Sequence, residues 1–226
     1  MPLRRDHISI FNVNPLRLLC FALATSNCVL AADSRETFDQ STQLPQGWQS
    51  GITGQGSAKW EVVPEQSAPS KPNVLRQSGE ATFAWAAKMD TAIKDGFVET
   101  KINPLTGHED QAGGIIWRVK DANNYYVVRA NALEGNVVLY KTVEGKRSSL
   151  QVKGRMFGYG VDAKVPSRKW STLRVEFAGK LFTVFFNGER LFEVEDETFK
   201  EAGGVGVWTK ADSVTLFDDF VFGAKQ

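Results

Sequence analysis

Cysteine and histidine are nearly absent from this 226-residue chain, which has two of each. Cys20, Cys28 and His7 all fall within the first 31 residues, so residues 32–226 contain no cysteine and a single histidine, His108. That segment can form no disulfide and offers no thiol nucleophile. One imidazole cannot build the multi-histidine or Cys/His ligand sets of the common zinc sites, and a Ser-His-Asp triad could run only through His108. A surplus of either charge is missing too, with 27 basic against 26 acidic residues, which argues against a nucleic-acid or anionic-membrane surface. Helical periodicity is almost absent. The longest apolar run, residues 16–30, is too short and too broken by Thr25, Ser26 and Asn27 to span a bilayer.

The first 31 residues carry Arg4, Arg5 and Arg17, then that apolar run, then Val29-Leu30-Ala31. A basic start, a short apolar centre and small residues at a cut site are the pattern of a secretory signal peptide. The expectation is a cleaved leader over 1–31 and an exported protein, periplasmic or secreted, with no membrane span. Lipidation fits poorly, since neither Thr25-Ser26-Asn27 before Cys28 nor Arg17-Leu18-Leu19 before Cys20 makes a lipobox. Cleavage removes Arg4, Arg5, Arg17 and Asp6, leaving 24 basic and 25 acidic residues. A segment of about 195 residues buries enough core to do without disulfides.

What remains is short runs rich in Val, Phe, Thr, Tyr and Trp, punctuated by Gly, Pro, Asn and Asp, which predict strands. Asn187-Gly188, between residues 181–186 and 190–194, is a strong hairpin signal. Ala178-Gly179-Lys180, Glu144-Gly145 and residues 121–124 mark further turns. A dozen short strands without crossover helices predict an antiparallel sandwich or jelly roll, as one domain over 32–226.

In the hairpin of residues 110–140, alternation of side chains groups Ile115, Trp117, Val119, Tyr126, Val128 and Ala130 on one face, the expected inter-sheet core. The other face would then present Arg118, Lys120, Tyr125, Arg129 and Asn131 outward. In "GGVGVWTK", Trp208 and Lys210 alternate away from Val205 and Val207, so Trp208 is expected uncovered between glycines.

The segments "EDQAGGIIWRVKDANNYYVVRANALEGNVVLYK", "RKWSTLRVEF", "LFTVFFNGERLFEVED" and "GGVGVWTKADSVTLFDDF" resemble a family of exported bacterial domains, the 3-keto-disaccharide hydrolase domains. The resemblance runs from about residue 36 to the end. It implies an all-β, two-sheet jelly roll of the concanavalin A-like lectin and glucanase type, whose concave sheet face commonly holds sugar. Function belongs to sites rather than folds, and no catalytic assignment transfers residue by residue.

Aromatic rings stack on the apolar faces of sugars, and planar or charged donors reach their hydroxyls. Trp208, Tyr125, Arg118, Arg129, Lys210 and Asn131 supply that mixture, so the expected ligand is a disaccharide or oligosaccharide on the concave face. The bland alternative is a solvated sheet face with its arginines paired to carboxylates. For catalysis, the Glu-x-Asp-x-x-Glu motif of glucanases is absent, and "EVEDE" at 193–197 reads as an acidic loop. A 3-keto sugar has an acidified neighbouring C–H, so one base and an oxyanion stabiliser suffice for elimination. His108, Glu109 and Asp110 are candidate bases, with Arg118 or Lys210 as stabiliser.

No motif asks for a cofactor. In "FDDF", Asp218 and Asp219 should point to opposite faces; the inward one must be paired, hydrogen-bonded or bound to a cation, a hydrogen bond being the favoured reading, and no Asp-rich calcium loop is visible. Residues 154–169 are read either as a lid over the concave face, with Tyr159 and Arg155 reaching inward, or as an inert excursion. Three functions follow: sugar binding, hydrolysis of 3-keto-glycosides, and an interaction domain without a small-molecule site. The last would gain if Trp208 were buried.

Overall fold

The computed structural model describes Met1 and residues 33–225; apart from Met1, the leader expected over 1–31 lies outside the described residues. The described chain contains sixteen strands: β1 (Ser34–Glu36), β2 (Trp48–Ser57), β3 (Trp60–Pro64), β4 (Asn73–Gln77), β5 (Glu80–Ile93), β6 (Gly96–Thr106), β7 (Ala112–Asp121), β8 (Asn124–Asn131), β9 (Asn136–Val143), β10 (Lys146–Ser149), β11 (Val161–Asp162), β12 (Ser171–Ala178), β13 (Leu181–Phe186), β14 (Glu189–Glu195), β15 (Gly203–Ala211) and β16 (Val214–Ala224). They form two antiparallel eight-stranded sheets. One runs β14-β13-β12-β6-β16-β4-β3 with β1 on β16, the other β10-β9-β8-β7-β15-β5-β2 with β11 on β9. Hairpins build the flanks, and long-range pairings close the centre, β6 with β16 and β7 with β15. This is a two-sheet jelly-roll sandwich.

The two sheets bury themselves differently. In β12 and β13 buried and half-exposed residues alternate strictly, so the first sheet has one core face and one solvent face, as antiparallel sheets commonly do. In β7 and β8 every residue from Ala112 to Val119 and from Tyr125 to Asn131 is buried. The second sheet is therefore covered on both faces. Its inner face meets the first sheet, where Trp117 stacks on Tyr126 and Phe177 at 5.4 and 6.0 Å and meets Phe182 edge-on. Its other face carries a second apolar cluster, including Phe83, Trp85, Ile116, Tyr125, Val127, Val138, Tyr140 and Trp208.

That second cluster is buried because the sheet curls until its edges approach. Thr53 on the edge strand β2 donates its hydroxyl hydrogen to the Ala122 carbonyl, and its oxygen lies 2.8 Å from the Tyr125 hydroxyl on β8. Glycines let the indoles lie flat against the strands. A Cβ on Gly51 would sit 2.4 Å from the Trp85 ring, and one on Gly114 would sit 3.3 Å from that of Trp208. The Asn187-Gly188 turn has φ of 51° and 83°, the left-handed pair that a two-residue hairpin requires.

Two sequence expectations need correction. Arg118 does not stand on the outer face. It occupies a bulge, with φ of 48° and a register shift between Trp117 and Asp121, and a bulge breaks the alternation. Its side chain points the same way as Trp117, toward Phe177 and Phe182. There it donates to the carbonyls of Lys94, Phe199 and Gly179 at 2.9, 2.7 and 2.8 Å and to Asp95 at 3.2 Å. Arg118 thus seals the end of the sandwich and belongs to no open site. Trp208, Tyr125, Arg129 and Asn131 are on the expected face, but they are fully buried rather than uncovered. The signal missed was β2, whose "WQSGITGQGS" lacks apolar alternation yet pairs with β5 and closes the curl.

Candidate functional site

The curled face opens at the rim formed by the β8–β9 hairpin, the loop before β7 and the end of β15. Asn131 ends β8, and its side-chain oxygen accepts the Leu133 N–H at 2.9 Å, fixing the hairpin turn. Its amide donates to Asp110 at 2.5 Å and to Glu134 at 3.1 Å. Arg129, two residues earlier on the same face, donates to Asn136 and Glu134 at 2.7 Å each and to the Tyr159 hydroxyl at 3.1 Å. Lys210 on β15 pairs with Asp110 and lies 3.5 Å from Glu109. Arg129, Asn131, Lys210, Asp110 and Glu109 are thereby drawn into one rim network. Burial pushes the Glu134 carboxyl up, but the Arg129 guanidinium outweighs this and holds it below its usual range.

Asp212, just after β15, orders the loop bearing the candidate bases. It accepts the backbone N–H groups of His108, Glu109 and Asp110 at 2.5, 3.0 and 3.1 Å. Burial raises the Asp212 carboxyl, and these N–H bonds overcome that and depress it. Of the three candidate bases, Asp110 is buried and committed to Asn131 and Lys210. Glu109 is exposed at the mouth beside Lys210, and His108 is exposed on the same loop.

A groove of about 540 Å³ runs along this mouth, lined by Gln55, Glu80, Thr82, Phe83, Glu109 and Lys210 among others. It combines an aromatic ring, an amide, a hydroxyl and charges of both signs. A smaller recess of about 290 Å³ lies on the other sheet beside Phe97 and Arg174. Arg174 there already pairs with Glu176 at 2.9 Å and with Glu99 at 3.5 Å.

Two features stand over the aromatic cluster. Tyr159 reaches in from the loop after β10, meeting Arg129 and the Tyr140 hydroxyl, as a lid would. Arg155 instead donates to Gly160 of its own loop at 3.2 Å, while Met156 and Phe157 are 84% and 83% exposed. Arg147 on β10 places its guanidinium over Tyr140, Phe83 and Trp208 at 4.2, 4.6 and 5.4 Å from the ring centres. Sequence reasoning missed Arg147. The Glu144-Gly145 turn, continued by alternation, pairs Arg147 with Thr142 and puts it on the face of Tyr140, so the signal was there. Phe83, Glu134 and Asp212 carried no such mark.

Asp218 and Asp219 behave as the terminal strand suggested. Asp218 is buried and accepts the hydroxyl and N–H of Ser70 at 2.6 and 2.8 Å, while Asp219 faces Arg35. Both lie away from the rim. Asp196, from the acidic run at 193–197, accepts from Tyr126 at 2.6 Å and Lys141 at 2.8 Å and is structural.

No protein-family profile matches the chain, and no curated protein matches it. Solved structures do. The carbohydrate-binding module CBM66 of Bacillus subtilis superposes with a TM-score of 0.61 at 18% identity, over 77% of this chain and 93% of that one. The cellulose-induced protein Cip1 gives 0.61 at 14% identity, over 85% and 97%. A β-glucanase of Bacillus licheniformis gives 0.54 at 11% identity, over 86% and 98%. At such identities the likeness is one of fold: the chain has the concanavalin A-like, galectin-like jelly roll.

Proposed function

We propose that the chain is an exported carbohydrate-binding domain that takes an oligosaccharide along the rim of its curled sheet. The observation that carries this reading is the groove of about 540 Å³ in which Phe83, Gln55, Thr82, Glu109 and Lys210 converge. An apolar ring with a few polar groups around it is the usual make-up of a sugar site. The names of two neighbours of this fold, a carbohydrate-binding module and a β-glucanase, agree with it. Export rests on the leader pattern of residues 1–31, and a 3-keto-glycoside ligand rests on the resemblance of the 109–141 hairpin.

The test is a proton NMR time course on residues 32–226 with a pool of oligosaccharides that includes 3-keto-trehalose and 3-keto-sucrose. Saturation transfer reports binding, and new anomeric signals report cleavage. Binding is expected, and Lys210→Met should weaken it about tenfold, the effect of losing roughly 1.4 kcal/mol. Cleavage, if seen, should vanish in Glu109→Gln, because Glu109 is the one of the three candidate bases that lines the groove. Absence of transfer to every sugar would end the proposal.

The burial of Trp208 favours a second reading, an interaction domain with no small-molecule site. Its surface would include Met156 and Phe157. Under that reading Met156→Ser with Phe157→Ser abolishes partner capture, and Lys210→Met leaves it intact.

A further inference from the structure

Arg147 is the one feature of the site that the rim network does not use. Its guanidinium sits in a nest of Tyr140, Phe83 and Trp208. Its Nη1 is buried and has no hydrogen-bond partner, and no described carboxylate lies within ion-pairing distance. Other buried or half-buried cations of this sheet have a carboxylate at hand, although Arg129 Nε likewise lacks a partner. Arg118 faces Asp95 at 3.2 Å, Arg129 faces Glu134 at 2.7 Å, and Lys141 faces Asp196 at 2.8 Å. Aromatic faces attract a cation through their quadrupoles, but they neither accept its N–H bonds well nor carry the opposite charge. A buried guanidinium N–H without an acceptor is costly, and the planar fork of arginine matches a carboxylate. Lys210 is already neutralised by Asp110 and Glu109, so the uncompensated positive charge on this face is that of Arg147. Tyr159, 48% exposed, meets the same Tyr140 ring edge-on at 5.9 Å and offers an apolar platform on the same cluster.

We infer that the sugar bound on this face is acidic, a uronic-acid residue whose carboxylate pairs with Arg147 while its ring lies against Tyr159. This rests on the sugar-binding reading above and narrows it to a ligand class. The experiment compares oligogalacturonate with its methyl ester on the mature chain, which isolates the carboxylate on one sugar backbone. Calorimetry gives the affinities, and tryptophan emission gives a second readout, to which Trp208 beside Arg147 contributes.

The acid should bind at least tenfold more tightly than the ester, with a preference that shrinks as salt rises. Arg147→Met should remove the preference while keeping the ester's affinity. Arg190→Gln, the same charge change on an exposed residue of the other sheet paired with Glu193, should leave it intact. Equal binding of acid and ester, or a preference that survives Arg147→Met, would overturn the inference and leave sugar binding standing. No binding of either, nor of any neutral oligosaccharide, would overturn both. If Arg147→Met fails to fold, the acid-to-ester ratio and its salt dependence on the wild-type chain decide the matter alone.

Discussion

At the scale of single residues, three arginines of one sheet have three fates set by what lies within reach of the guanidinium. Arg118 satisfies three carbonyls and Asp95 with almost no solvent contact. Arg118→Met removes the donor from the buried Phe199 carbonyl and from three part-buried acceptors, and a loss of about 1–3 kcal/mol is expected, measured by denaturant unfolding; no measurable change would contradict the role. Carboxylates set the pH response. Asp196 is pushed up by burial, but bonds from Lys141, Thr198 and Tyr126 outweigh this and hold it low, and Asp212 is held low by backbone N–H groups. Folded-state values below the unfolded one mean stability that is full above the ordinary carboxylate range and lost as pH falls through the depressed values. Asp218, raised by burial, works oppositely and favours the fold as it protonates. Melting temperature should therefore be flat from neutral pH to about 5 and fall below about 4, and Asp196→Asn should make that fall shallower. That arginines would matter here was legible in the residues; which way Arg118 pointed was not, because a bulge has no reliable sequence mark.

At the scale of elements, hairpins were legible where turn chemistry is explicit, as at Asn187-Gly188, and illegible where a strand is built of small polar residues. β2 owes its place to pairing with β5 and to Gly51 under the Trp85 ring rather than to its own pattern. Gly51→Ala adds a carbon 2.4 Å from that ring, and forcing the packed indole aside should cost about 1–3 kcal/mol, read as a lower denaturant midpoint. Beyond Lys153, whose N–H donates to the Glu193 carbonyl on β14, the loop after β10 is held over the aromatic cluster by the Tyr159 hydroxyl between Arg129 and Tyr140. Tyr159→Phe should speed limited proteolysis at Met156–Phe157 severalfold while costing only about 1 kcal/mol of global stability; unchanged cleavage would show that the loop has another anchor.

At the scale of the molecule, the two apolar clusters share β7, β8 and β15, since alternate residues of those strands enter opposite cores. Neither cluster can melt while the other stays ordered. Far-UV dichroism and tryptophan emission should therefore give coincident unfolding curves, and a separate earlier step in emission would show that the curled face opens independently. The sequence by itself determined the all-β class, the hairpins, the residues sharing each face of β8 and of β7 as far as Trp117, and the gathering of Arg129, Asn131, Lys210 and Asp110. These follow from period-two alternation and local turn geometry, which need no distant partner. The tertiary structure alone decided that the second face is a filled core, that Trp208 and Tyr125 lie beneath it, that Arg118 turns inward, and that Arg147 stands over three rings. Alternation says which side a side chain takes. What covers that side depends on how far the sheet curls, and that is set by contacts such as Thr53 with Tyr125, between strands far apart in sequence.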